Sequence, residues 1–145
     1  MKTLPAAPVW LLCCGNADRR DDGAALLATR GLPATRCGQL ELDHLLAAPA
    51  GVPIVICDTT VGVTPGRVVT LTFDELLANP RGPAPHSSHA LPIDQVIGVA
   101  RALSSEPIDG LFVGIGGVDF GFGRGLSPAV EAALPQFRAA IESQV

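Results

Sequence analysis

Tyrosine is missing from the 145 residues, and with one tryptophan and five phenylalanines the core must be mainly aliphatic. Charge is also sparse. Charged residues make up 17% of the chain, against roughly 25% in an average soluble domain, while apolar residues reach 48%, which excludes intrinsic disorder. Ten Lys and Arg face 14 Asp and Glu, a net charge of -4 with no basic run to neutralise a row of phosphates, so nucleic acid is excluded as a partner. No apolar stretch approaches the about 18 uninterrupted residues of a membrane span. No internal repeat is present, and at roughly 150 residues per domain the chain reads as one domain, 1–145. There is no Gly-x-Ser-x-Gly elbow, and Gly114-Ile115-Gly116-Gly117-Val118-Asp119 lacks the final glycine of a dinucleotide fingerprint.

The 16 glycines and 13 prolines promise many turns. The four cysteines, Cys13, Cys14, Cys37 and Cys57, contain no C-x-x-C pair, and three sit in apolar runs. They read as buried thiols of a reducing cytoplasm. Lys2 followed by Leu4 to Cys14 mimics a secretory signal, but Pro5 and Pro8 interrupt it and Gly15-Asn16 replaces a cleavage site. The segment is read as a first strand.

That strand, Val9 to Cys14, is a continuous apolar run, the pattern of burial on both faces. Asp21 and Asp22 can cap a helix through Ala24 to Ala28, with Gly31 as its stop. Ala34–Cys37 suggests a short strand and Leu40–Ala47 a short helix. Val52–Cys57 is a buried strand ending at Asp58, and Arg67–Thr72 is β-branched enough to follow it. The linker between these two is too short for a crossover helix, so the later strand should run antiparallel. A proline-rich loop, Asn79–Ser88, leads to a helix with Val96, Ile97, Ala100 and Leu103 on one face. Leu111–Val113 is the last strand. The glycine-rich stretch Gly116–Gly125 is expected to form a mobile wall before a helix with Ser127 at the N-cap and Pro128 in its first position, buried along Val130, Leu134, Phe137 and Ile141. The alternation predicts an α/β fold: a three-layer α/β/α sandwich around a mostly parallel five-stranded sheet with one antiparallel strand.

Ligands of such sheets bind beyond the carboxyl ends of the strands, where strand order reverses. Three loops should open there: Gly15-Asn16-Ala17-Asp18-Arg19-Arg20-Asp21-Asp22-Gly23, the turn at Asp58, and His86-Ser87-Ser88-His89. Two carboxylates and an imidazole suit a borderline divalent ion such as nickel or zinc, with positions left open for substrate. Taken singly, Asp22 reads equally as a capping acid, Asp58 as a turn former and His89 as a solvated histidine. His44 and His86 read as ordinary surface residues.

In this order, Gly15-Asn16 with Asp21-Asp22-Gly23, Asp58 with Gly62 and Pro65-Gly66, Ser87-Ser88-His89, and Gly125-Leu126-Ser127-Pro128 resemble the hydrogenase maturation proteases. The resemblance spans most of the chain. It implies an endopeptidase that trims the C-terminus of a nickel-iron hydrogenase large-subunit precursor, in the cytoplasm and as a monomer. The implied metal-contacting and catalytic positions are Asp22, Asp58 and His89, with Asp21 left to cap its helix. The implied nickel belongs to the substrate, so the resting enzyme need hold no metal. Where the family usually has Gly-x-Gly-Asn, this chain has Cys13-Cys14-Gly15-Asn16, and the bulkier Cys13 is expected to narrow that turn. Two other readings stand beside this one: a binding or chaperone domain of the same fold without catalysis, and a Ser or Cys hydrolase built on Ser87, Ser88 or Cys57.

Overall fold

The computed structural model describes residues 8–78 and 92–145. Strand β1 (Trp10–Cys14) is followed by a 3-10 turn, Arg20–Gly23, and helix α1 (Ala24–Ala28). Then come β2 (Thr35–Cys37), α2 (Leu42–Leu46), β3 (Ile54–Thr60), β4 (Val68–Thr72), α3 (Phe73–Ala78), α4 (Ile93–Leu103), β5 (Gly110–Gly116) and α5 (Pro128–Glu142). The strands form one sheet in the order β2-β1-β3-β5-β4. All neighbours pair parallel except β4, which runs antiparallel against β5. The expected α/β/α sandwich is therefore present, and β4 occupies an edge beside β5.

Strand alternation divides the core into two layers. Leu11, Cys13, Val55, Cys57, Val113 and Ile115 pack with α1 and with Val130, Phe137 and Ile141 of α5. Leu12, Cys14, Ile54, Ile56 and Phe112 pack on the opposite face with α2, α3 and Val96, Ile97 and Ala100 of α4. Leu103 is 65% exposed and leaves the α4 stripe, because that helix ends there and turns toward Pro107. The expected loop Asn79–Ser88 lies outside the described residues, and helix α3 falls between it and the expected strand Arg67–Thr72, in a stretch to which the sequence assigned no element. Its start is secured by a reciprocal pair of bonds, Thr72 Oγ1 accepting from the Glu75 N–H at 3.0 Å and Glu75 Oε1 accepting from the Thr72 N–H at 3.0 Å. His44 is likewise more than a surface residue: its Nδ1 accepts the Glu41 N–H at 2.9 Å and caps α2.

All four cysteines are buried and free. Cys13 points into the α1/α5 layer, where the Thr29 hydroxyl, which donates to the Ala25 carbonyl at 2.8 Å, also lies 3.1 Å from its sulfur. The turn after β1 is therefore not narrowed by this residue, whose side chain faces away from it. Burial pushes the Cys13 and Cys57 thiols up, and Cys14 is held protonated first by its hydrogen bond with Cys37 and then by burial. A disulfide reagent applied to the native protein should modify none of the four within minutes, and all four once the chain is unfolded. Rapid labelling of any one in the native state would show that the sheet opens locally.

Candidate active site

The chain leaves β1 for β2 on one side and later enters β3 on the other, so strand order reverses between β1 and β3. The crevice at their carboxyl ends is the place where such a sheet exposes backbone and side chains to a ligand. Gly15 makes the first turn there. Its φ is +138°, and a Cβ at this position would collide with the carbonyl oxygen of Asp22 and stand 4.0 Å from Asp58 Oδ1. Only glycine allows the turn to pass this close to the Asp22 main chain. The N–H of Asn16 then donates to Asp22 Oδ2 at 3.0 Å, and Asn16 Oδ1 accepts the Asp18 N–H at 2.9 Å. The Gly-Asn pair thus orients the first candidate carboxylate.

Asp58 lies within β3 and not after it, on the same face as Ile54 and Ile56. Its register partner on β5 is Gly114, so no side chain flanks it there. Its Oδ1 accepts the Thr59 N–H at 2.8 Å, and the Thr59 hydroxyl donates to the Asp21 carbonyl at 2.6 Å, tying β3 to the turn that carries Asp22. Burial, and next the nearby charge of Asp22, push the Asp58 carboxyl up to about 8. A carboxyl forced toward neutrality beside a second acid is a position where a cation would relieve repulsion.

Asp21 has a different task from the helix capping expected of it. It is fully buried, and its carboxylate accepts four bonds from the far end of the chain: the Val118 and Asp119 N–H groups at 2.9 Å each, the Ser127 N–H at 2.7 Å and the Ser127 hydroxyl at 2.8 Å. Burial works against the charge, but these bonds outweigh it and hold Asp21 below the usual carboxylate range. Ser127 occupies the N-cap of α5 as expected, yet its side chain serves Asp21 instead of its own helix. The stretch 116–125 is accordingly fastened to the acidic turn and is not a loose wall. Backbone bonds join Arg20 N–H to Gly123 O at 3.0 Å and Gly123 N–H to Asp18 O at 2.9 Å, while Arg19 Nε donates to Phe120 O at 3.1 Å. Gly117 is required at the closest approach, because a Cβ there would meet Thr59 Cγ2 at 2.6 Å.

Of the three candidate residues, then, Asp22 and Asp58 lie near enough at the reversal point for the charge of one to act on the other. His89, together with His86, Ser87 and Ser88, lies outside the described residues. Among the described residues no group of three or more His, Cys, Asp or Glu side chains could by itself hold a metal ion. The residue that sequence reasoning misassigned is Asp21, and its only local signal was adjacency to Asp22.

Comparison with known proteins bears on the fold and the family. The family model described as hydrogenase maturation protease matches residues 41–144. No curated protein sequence matches the chain. Among solved structures, the [NiFe] hydrogenase maturation protease HybD from Thermococcus kodakarensis is 24% identical, with a TM-score of 0.75 over 93% of this chain and 97% of that one. HybD from Escherichia coli, a hydrogenase maturating endopeptidase, is 21% identical, with a TM-score of 0.73 over 93% and 90%. The HycI maturation protease from Thermococcus kodakarensis is 16% identical, with a TM-score of 0.66 over 94% and 90%. These likenesses establish the fold, and the match over most of the sequence establishes the family: the chain belongs to the hydrogenase maturation proteases.

Proposed function

We propose that the protein is an endopeptidase that removes a C-terminal peptide from a hydrogenase large-subunit precursor already loaded with nickel, and that Asp22, Asp58 and His89 contact that nickel. The observation that carries the reading is the buried Asp58 at the reversal point, pushed toward neutrality by burial and by the charge of neighbouring Asp22. Beside Asp22 the Asp58 carboxyl keeps its proton, and a cation arriving there would favour its ionised form. The precursor's own ion would supply that charge, so recognition of a loaded precursor would follow from electrostatics.

Hydrolysis requires water oxygen to bond to the scissile carbonyl carbon, the C–N bond to break, and a proton to reach the leaving amine. A substrate-borne divalent ion polarises the carbonyl and lowers the pKa of water. The chain's part is to seat that ion. The Asn16 N–H fixes Asp22, the Thr59 N–H fixes Asp58, and the Asp21 clamp keeps the acidic turn in place.

The test is to incubate the purified protein with nickel-loaded and nickel-free precursor and weigh the products by intact mass spectrometry. The loaded form is expected to lose a C-terminal peptide and the unloaded form to stay whole. Equal cleavage of both removes the nickel requirement, and cleavage of neither removes the endopeptidase reading.

A further inference from the structure

Among the described residues Phe122 is the most exposed large apolar side chain, at 84%, and Val118 of the same stretch is 61% exposed. Single exposed apolar residues are common. These two differ because the backbone that carries them is held at several points: Val118 N–H donates to Asp21 Oδ2 at 2.9 Å, Gly121 N–H to Asp119 Oδ1 at 3.0 Å, and Gly123 N–H to the Asp18 carbonyl at 2.9 Å. The ring is fixed as well. The Arg19 guanidinium carbon lies 4.9 Å from its centroid, and Arg19 is itself anchored through Nε, which donates to the Phe120 carbonyl at 3.1 Å. With so much of Phe122 in solvent, the guanidinium backs the ring without covering it.

The same arginine belongs to the acidic turn. Its carbonyl accepts the Asp22 N–H at 3.1 Å, so the exposed ring is joined through Arg19 to the first candidate carboxylate. Among the described residues Arg20 is the only non-glycine with a positive φ, +48°, and its N–H donates to the Gly123 carbonyl at 3.0 Å, a strained conformation that ties the turn to the residue after Phe122. Two ion pairs flank the ring, Arg20 with Asp119 at 3.6 Å and Arg124 with Asp18 at 3.1 Å. An ordered aromatic stacked on an arginine and flanked by paired charges has the composition of the energetic centre of a protein interface. Because ring and loop are already ordered, burying them on a partner loses little conformational freedom. The partner follows from the position. Whatever covers Phe122 also overhangs Asp22, and a second copy of this chain seated there would crowd the crevice that the precursor has to enter. A precursor laying its ion against Asp22 and Asp58 meets both demands.

We infer that Phe122, backed by Arg19, is a docking anchor for the body of the precursor protein, the ring entering an apolar cleft on that protein's surface outside the segment that is cleaved. The inference rests on the peptidase reading, and the experiment separates the two. Biolayer interferometry on immobilised nickel-free precursor, which is expected to stay whole, reads docking alone, and initial rates on nickel-loaded precursor read KM and kcat. Phe122→Ala should weaken binding at least about tenfold and raise KM by a similar factor, with kcat within about twofold of the parent. Phe122→Tyr should stay within about threefold of the parent in both measurements. Leu103→Ala, which removes an apolar side chain 65% exposed at the opposite end of the sheet, should change neither. All three variants should keep the parent's denaturant midpoint, because the altered side chains are exposed. Failure of the parent to bind the nickel-free precursor, or unchanged binding and KM in folded Phe122→Ala, would overturn the docking surface and leave a cleaving parent's peptidase reading intact. A parent dimer in sedimentation that Phe122→Ala dissociates would overturn it in favour of self-association. Phe122-dependent binding with no cleavage by the parent upholds the surface and sinks the peptidase reading.

Discussion

Asp58→Asn is expected to reduce cleavage of the nickel-loaded precursor by at least about a thousandfold while making the metal-free protein more stable at pH 8. The two effects share one cause. A carboxyl in an unfolded chain ionises near pH 4, whereas in the fold Asp58 retains its proton to about pH 8. Between those values the folded chain binds the extra proton, so stability falls as pH rises through the window and the full deficit is present above it. Asparagine has no charge to bury or to oppose Asp22, so the variant should exceed the parent by about 2–4 kcal/mol at pH 8 and match it below pH 4. Urea unfolding at both pH values, in the presence of chelator, measures this directly. A variant no more stable than the parent at pH 8 would show that Asp58 is carried ionised without strain. His89→Ala is expected to abolish cleavage equally with folding intact, and full activity in that folded variant would remove His89 from the mechanism.

Asp21→Asn should do the reverse and destabilise the protein severely. The substituted amide presents its own N–H groups toward Val118, Asp119 and Ser127, where the carboxylate accepts four hydrogen bonds. Loss of charge-assisted bonds at a fully buried position costs about 3–5 kcal/mol, against about 1 kcal/mol for Ser127→Ala, which deletes one bond. The pH dependence has the opposite sign from that of Asp58. Asp21 titrates below its unfolded value, so its contribution is present above about pH 4 and is lost as pH falls through the native pKa. The gap between parent and Asp21→Asn should therefore be full at pH 7 and narrow at pH 3. An unfolding free energy within about 1 kcal/mol of the parent at pH 7, from denaturant titration, would mean that the clamp contributes little. Cleavage should fall as well, because the same turn presents Asp22.

These two adjacent acids mark the limit of reading along the chain. In a 3-10 turn successive side chains point about 120° apart, so that Asp21 and Asp22 face different surroundings is legible locally. Which of them meets solvent and which meets Ser127, 106 residues later, is not. Asp58 raises a similar difficulty: a turn-forming residue after an apolar run looks like the strand's end, but pairing with Gly114 carries β3 on to Thr60. Helix α3 escaped notice because six residues are too few to display a period.

What the order of residues settled by itself was the α/β class, the strands buried on both faces, the antiparallel strand and the Gly-Asn and Asp-Asp turn, because each depends on hydrophobic runs, linker length or backbone freedom within a few positions. Only the tertiary structure decided the division of labour between Asp21 and Asp22, the fastening of 116–125 and the elevated proton affinity of Asp58. Those depend on burial and on charges and donors brought from distant segments, and such quantities exist only once the chain has packed.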